Sequence, residues 1–408
     1  MKNFFFSFDC INFYNYSVVL ISFLLFILTL ALASCGKSSN TDKSSETKNN
    51  TINFSEIKSG EPIRVGPKGC SSSFSYYNTT PENPEGSKIA YVTFNSIPKN
   101  DRNEKVNGGL WICNTNLSSH KKITNISNVE VHNGSKFQWV DNETIAYQDD
   151  SIRMVNLNGK HLIPAFKGHL GHHAYNKNIL FSTNSKQTGL STIYQKDKVG
   201  NEKEIADVED FKGLVDYFDS SNFKSLKKWS ISHLQYAPNG QKIAFRLNVG
   251  PKTETYKHLV IFDLKTRKTT FFGPKPMHFS WYDNKSIMGH DNQIADGKTN
   301  DNTLRRWDLR TNYLETLGGS GNHLGASNDR EYFASESWYG NDPVILKLYR
   351  HGDTTAFWQH VVSNDKYTTW NLAFHTNPSF SRDGKRLYFN KCVGSGVVKT
   401  FMVLIPDD

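Results

Sequence analysis

A seven-bladed β-propeller of four-stranded antiparallel blades is the fold this sequence predicts, and three observations predict it. A polar lead-in, an Asn/Asp/Gly turn and an apolar run recur seven times along the chain. The apolar segments are short and β-branched or aromatic, such as Ile89-Ala-Tyr-Val-Thr-Phe94 and Thr400-Phe-Met-Val-Leu404, and turn residues cut them apart. Setting aside the N-terminal region leaves roughly 350 residues, about 50 per repeat, which is the length of a four-stranded blade with its loops.

In chain order, the first unit reads Phe74-Ser-Tyr-Tyr77 and then Glu85-Gly86-Ser-Lys-Ile89. The second is Phe137-Gln-Trp-Val-Asp141-Asn142-Glu-Thr-Ile145 and the third is His169-Leu-Gly-His-His-Ala-Tyr-Asn176-Lys-Asn-Ile179. The fourth, His233-Leu-Gln-Tyr-Ala-Pro-Asn239-Gly240-Gln-Lys-Ile243, has a near twin in the seventh, Asn377-Pro-Ser-Phe-Ser-Arg-Asp383-Gly384-Lys-Arg-Leu387. Between them stand His278-Phe-Ser-Trp-Tyr-Asp283-Asn284-Lys-Ser-Ile287 and His323-Leu-Gly-Ala-Ser-Asn328-Asp329-Arg-Glu-Tyr-Phe333. Ile261-Phe-Asp-Leu-Lys-Thr266 and Trp307-Asp-Leu-Arg-Thr311 read as hairpins joining the third and fourth strands of a blade. Only 208–217 has helical character, as an insertion between the third and fourth repeats.

The N-terminus falls outside the fold. Val18 to Ala33 is an apolar run ending Leu32-Ala33-Ser34-Cys35-Gly36. It is short for a membrane span, and its small-small-Cys ending suits a cleavage site. It resembles a bacterial lipoprotein signal, which implies lipidation (palmitate) at Cys35 and a place in the cell envelope, at the outer membrane or in the periplasm. The expected organisation is a signal peptide over 1–34, a polar tether over 35–56 that cannot bury enough apolar surface to fold, and a propeller over 57–408.

The formal charge is +9, and removal of 1–34 takes away only Lys2 and Asp9. With no Lys/Arg cluster and an envelope location, the expected acidic partner is a uronate- or sulfate-bearing glycan rather than nucleic acid, and the chain is expected to be a monomer attached to the membrane through its lipid alone. Of the remaining cysteines, Cys70 and Cys392 flank the point where a ring would close. They could form a disulfide or share a metal there, or lie buried as thiols with Cys113.

Histidines mark the lead-ins. His233 to His278 and His278 to His323 are both 45 residues, His169 opens the third unit, and His375 and His132 precede the seventh and second. Any one alone would be an ordinary surface or core histidine, but one repeat position converges on one rim of the channel. A rim of imidazoles can bind a metal or move protons.

The His233, His278, His323 and His375 lead-ins, with Arg246 after the strand 243–245, resemble those of the propeller-type polysaccharide lyases, the oligogalacturonate and ulvan lyases. The likeness covers about residues 130–395 and is strongest after 229. The Ser-Arg-Asp-Gly turn is shared with all TolB-type propellers. The resemblance implies β-elimination on a uronate polymer, with Arg246 beside the substrate carboxylate and His278 as base in the oligogalacturonate type. It also implies a divalent metal (zinc, manganese or calcium) on imidazoles at positions such as His233, His323 and His375, and no organic cofactor. Here the expected His-x-His reads His375-Thr-Asn377 and the expected Gln is Leu372, which removes two of the four ligands. The ulvan type uses His and Tyr from earlier blades instead, for which His132, His172 and Tyr217 are the matches by repeat position. Ulvan is therefore the first expected substrate and pectate or oligogalacturonate the next. The alternative is a non-catalytic TolB-like propeller that binds glycan or protein.

Overall fold

The computed structural model describes residues 57–94, 105–130, 134–184, 191–207, 209–211, 229–249, 256–272, 276–290, 302–311, 313–337, 343–363, 375–394 and 397–406. They form seven antiparallel blades in a ring. Blade 1 is β2 (Ser71–Ser73), β3 (Lys88–Phe94), β4 (Lys105–Asn114) and β5 (Lys121–Glu130). Blade 2 has β6 (Phe137–Trp139), β7 (Thr144–Gln148) and β8 (Ile152–Asn156), and isolated bridges at His161 and Phe166 hold its outer edge. Blade 3 is β9 (His169–Leu170), β10 (Asn178–Asn184), β11 (Ser191–Asp197) and β12 (Glu202–Ala206); blade 4 is β13 (Trp229–Tyr236), β14 (Lys242–Val249), β15 (Tyr256–Asp263) and β16 (Thr269–Phe271). Blade 5 is β17 (Met277–Trp281), β18 (Ser286–His290), β19 (Thr303–Asp308) and β20 (Leu314–Ser320); blade 6 is β21 (Leu324–Ala326), β22 (Tyr332–Glu336), β23 (Val344–Arg350) and β24 (Trp358–Ser363). Blade 7 is β25 (Ser379–Phe380), β26 (Arg386–Cys392) and β27 (Val398–Leu404), completed by the N-terminal β1 (Ile63–Arg64).

The turns explain why the repeats are visible in the chain. Gly86, Gly240 and Gly384 have φ of 70, 67 and 73°, a conformation that a side chain resists, and each closes the bend between the first two strands of its blade. Blade 6 puts Arg330 in the same place at φ 67°. The strands then alternate, and their apolar faces pair blade against blade. Phe137, Trp139 and Ile145 of blade 2 pack on Val92 and Leu110 of blade 1, and Phe380 and Phe389 of blade 7 on Leu346 and Val362 of blade 6. Each such side chain contributes about 1.5–3 kcal/mol. The core is thus shared out among the blade interfaces, and the axis is left for polar groups.

The ring closes between blades 7 and 1. β1 pairs with β27, Ile63 opposite Met402, and Val65 and Phe74 pack on Tyr388 and Met402. Glu82, fully buried, accepts hydrogen bonds from Arg386 Nη2 (3.0 Å), the Tyr388 hydroxyl (2.5 Å) and the Arg382 amide (2.8 Å). The disulfide considered between Cys70 and Cys392 is not part of this closure: Cys113 and Cys392 are buried thiols. Of the expected helix over 208–217, the described part is a single 3-10 turn, Glu209–Phe211.

Candidate functional site

Two repeat positions supply the channel. On the second strand, Arg246 pairs with Ser232 and His290 with Met277, while the Glu336 carbonyl accepts from the Asn322 amide and the Asn390 amide donates to the Thr376 carbonyl. These four residues therefore occupy one register position in blades 4, 5, 6 and 7, and all four are buried. The residues following their partners on the first strand are His233, His278, His323 and Asn377. His233, His278 and Asn377 have φ of 57, 46 and 48°, and the pairing slips at 232–235 and 277–280. An extra residue in a strand re-aims its side chain, and a non-glycine residue held in the left-handed region stores strain of a kind that clusters at functional sites.

The result is a row of imidazoles. Successive ring centroids are 5.8 Å apart for His172–His233, 6.4 Å for His233–His278, 4.3 Å for His278–His323 and 4.5 Å for His323–His375. His278 Nδ1 lies 2.9 Å from His290 Nε2, and His323 Nδ1 makes a short contact with the buried Glu336 carboxylate.

Blade 1 fills the channel. Where blade 4 turns directly, the chain after Phe74 makes a detour before Pro81 rejoins the sheet by accepting from the Ala90 amide. The detour is pinned on several blades, with the Tyr77 hydroxyl on Phe279 O (3.0 Å), Thr79 Oγ1 on His172 O (2.5 Å) and Thr80 Oγ1 on Phe380 O (2.8 Å). Tyr76 stacks on His172 (5.1 Å, 27°) and its hydroxyl lies 3.3 Å from His233 Nε2, whose Nδ1 is 3.0 Å from Ser232 Oγ. Tyr77 packs on His278 and His323.

This environment favours the neutral form of five of the imidazoles, those of His172, His173, His233, His278 and His290. Burial pushes His172 and His290 down to about 3 and His173 to about 4. It also takes His233 and His278 well below the ordinary value, with the Arg246 guanidinium and neighbouring imidazoles adding to the effect. Burial pushes the Tyr77 hydroxyl up. Arg246 is 6% exposed, and its Nη2 has no hydrogen-bond partner among the described residues. Burial lowers its pKa, against raising contributions from Tyr76 and Tyr77. On one side of the tyrosines opens a cavity of ≈ 280 Å³ lined by Tyr76, Lys136, His169, His172, Ser232 and His233 among others. Arg246, His278 and His323 do not line it.

The fold thus gathers His172, His233, Arg246, His278, His323 and His375, while His132, Tyr217 and Cys35 lie outside the described residues. His169 is not the counterpart of His233: it pairs with Ser182 in an unbulged strand and stays exposed, so His172 joins the row instead. Tyr76, Tyr77, His290 and Glu336 do not stand out in the sequence. The last two were findable, because each lies three residues beyond the apolar start of the second strand, as Arg246 does after Ile243. The rings pack on one another, and among the described residues no three His, Cys, Asp or Glu side chains converge to hold a metal.

No family model matches the chain, and no curated protein matches it. Solved structures do. An oligogalacturonate lyase in complex with manganese superposes with a TM-score of 0.58 at 13% identity, covering 86% of this chain and 99% of that one. A prolyl endopeptidase superposes at 0.53 and 10% identity, covering 83% of this chain and 49% of that one. TolB from Acinetobacter baumannii reaches 0.40 at 13% identity, covering 76% and 79%, which is too low a score to carry weight. At these identities the likeness is one of fold.

Proposed function

We propose that this propeller is a polysaccharide lyase that cleaves a uronate-containing anionic polysaccharide by β-elimination, with ulvan the first candidate and pectate or oligogalacturonate the next. The observation that carries the reading is Arg246, a buried cation whose Nη2 lacks a partner among the described residues, set among neutral imidazoles and tyrosines. A uronate lyase needs such a cation at the C6 carboxylate, a base for the C5 proton and an acid for O4. A guanidinium pairs bidentately with the carboxylate and makes the C5 proton more acidic. His233 Nε2, neutral and beside the cavity, is the base. It takes the C5 proton, the electron pair forms the C4–C5 double bond, and the C4–O4 bond breaks. The Tyr76 hydroxyl, 3.3 Å from that nitrogen, protonates the departing O4 and regains a proton from His233. His172 walls the same cavity. The solved oligogalacturonate lyase with the same fold supports the reaction class.

One observation favours the second reading, a glycan- or protein-binding propeller without catalysis: Arg246 does not line the cavity that Tyr76 and His233 line. Both readings place the chain at the cell envelope through a lipidated Cys35. Incubation with ulvan, pectate and alginate, followed by ultraviolet absorbance of the unsaturated uronate product, separates them. Product from one of these polymers supports the lyase, and no product from any of them returns the binder.

A further inference from the structure

On the other side of the tyrosines lies a second cavity of ≈ 290 Å³, lined by Arg330, Trp281, Gln138, Ser379 and Trp139 among others. Three of its lining side chains are at most 5% exposed yet carry polar atoms with no hydrogen-bond partner among the described residues: Gln138 Oε1, Trp281 Nε1 and Ser379 Oγ. Buried polar groups are as a rule hydrogen-bonded, so three exceptions around one cavity point to something that fills it. The comparison between blades sharpens this. Trp139 and Trp281 hold the same register, opposite Ile145 and Ile287, but the Trp139 indole donates to Pro81 O at 2.8 Å. Trp281 has no such acceptor among the described residues.

Arg330 adds a charge, and its backbone shows that the charge is not incidental. It occupies the turn position that glycine fills in blades 1, 4 and 7, at φ 67°, where a side chain is strained. Its Nε, Nη1 and Nη2 donate to the carbonyls of Tyr282 (2.7 Å), Ser327 (2.7 Å) and Trp281 (3.4 Å), which fix the guanidinium at the cavity; among the described residues Asp283 and Asp329 lie near enough to act on its charge, and neither is hydrogen-bonded to it. Indole walls, the unpartnered polar atoms of Gln138, Trp281 and Ser379, and the Arg330 and Arg382 guanidiniums are the complement of a hydroxylated ring that carries an acid group.

We propose that this cavity is a second ligand site, distinct from the Arg246 channel, which binds a monosaccharide-sized acidic sugar. The test is calorimetric titration of the full chain with galacturonate and with galactose, its uncharged counterpart. Wild type is expected to bind galacturonate saturably and more tightly than galactose. Trp281→Phe, which keeps a ring, and Ser379→Ala should each weaken binding about three- to tenfold, as loss of one neutral hydrogen bond does. Arg330→Gly installs the residue this turn favours elsewhere, so the fold is kept; it should weaken galacturonate about tenfold or more and erase the preference over galactose. Arg246→Ala should keep the component of galacturonate binding that the three cavity variants lose, whatever it does to binding in the channel. The proposal is overturned if wild type binds neither sugar, if the three cavity variants bind like wild type, or if the loss follows Arg246→Ala instead.

Discussion

Replacing Arg246 separates its chemical role from its structural one. The side chain is 6% exposed, makes no ion pair among the described residues and leaves Nη2 without a partner there, so the fold bears the cost of desolvating a cation. Exchanging such a charge for an apolar side chain of similar volume is commonly neutral or stabilising by about 1–4 kcal/mol. Arg246→Met is therefore expected to unfold at the same urea concentration as wild type or a higher one. Turnover should go the other way. A charge-assisted contact on the developing carbanion, made in a site that excludes water, is worth about 2–4 kcal/mol, so kcat should fall roughly 30- to 1000-fold. Arg246→Lys should recover only part of this, because an ammonium cannot form the two parallel bonds. Initial rates of unsaturated-uronate formation and equilibrium urea curves on the same preparations give both numbers. Wild-type turnover in Arg246→Met would refute the catalytic assignment. A loss of about 3 kcal/mol or more in stability alongside the lost rate, the size expected when a buried pair is broken, would show that Arg246 acts through the fold.

Three further outcomes follow from the same geometry. His233→Ala and Tyr76→Phe should each lower turnover about 10²- to 10⁴-fold, while His278→Ala, outside the cavity lining, should cost less; equal losses at His233 and His278 would shift the base to the oligogalacturonate-type position. Treatment with a chelator tests the expected divalent metal: abolished activity that is restored by zinc, manganese or calcium would show a metal-dependent site, and unchanged turnover would remove the metal from the reaction. Stability should decline with acid. His290 titrates at about 3 when folded against 6.5 ordinarily, so between these values the unfolded chain binds the extra proton, and the stabilising contribution is full above 6.5 and lost as pH falls towards 3. The slope is about 1.4 kcal/mol per pH unit per such histidine, and urea midpoints in His290→Phe should vary less with pH than in wild type; equal slopes would count against it.

Much of this molecule is legible in the chain because the controlling forces are local. A turn that needs φ near 70° selects Gly86, Gly240 and Gly384, and strand alternation follows from the pleat, so the blades can be counted along the sequence alone. Arg246 and the histidines at 233, 278 and 323 are visible as a row for the same reason: one position in a repeat maps to one place around an axis. What the chain does not reveal depends on contacts between distant segments. A single extra residue decides whether a lead-in histidine joins the buried row, as His233 does, or pairs within its strand and stays exposed, as His169 does, and a bulge is set by how neighbouring strands pack. The detour carrying Tyr76 and Tyr77 has no repeat counterpart, and only its anchors at 172, 279 and 380 place it across the channel. Burial of Arg246 and Glu336, and with it the lowered pKa of His233 and His278 beside Arg246, exists only once seven blades shut water away from the axis.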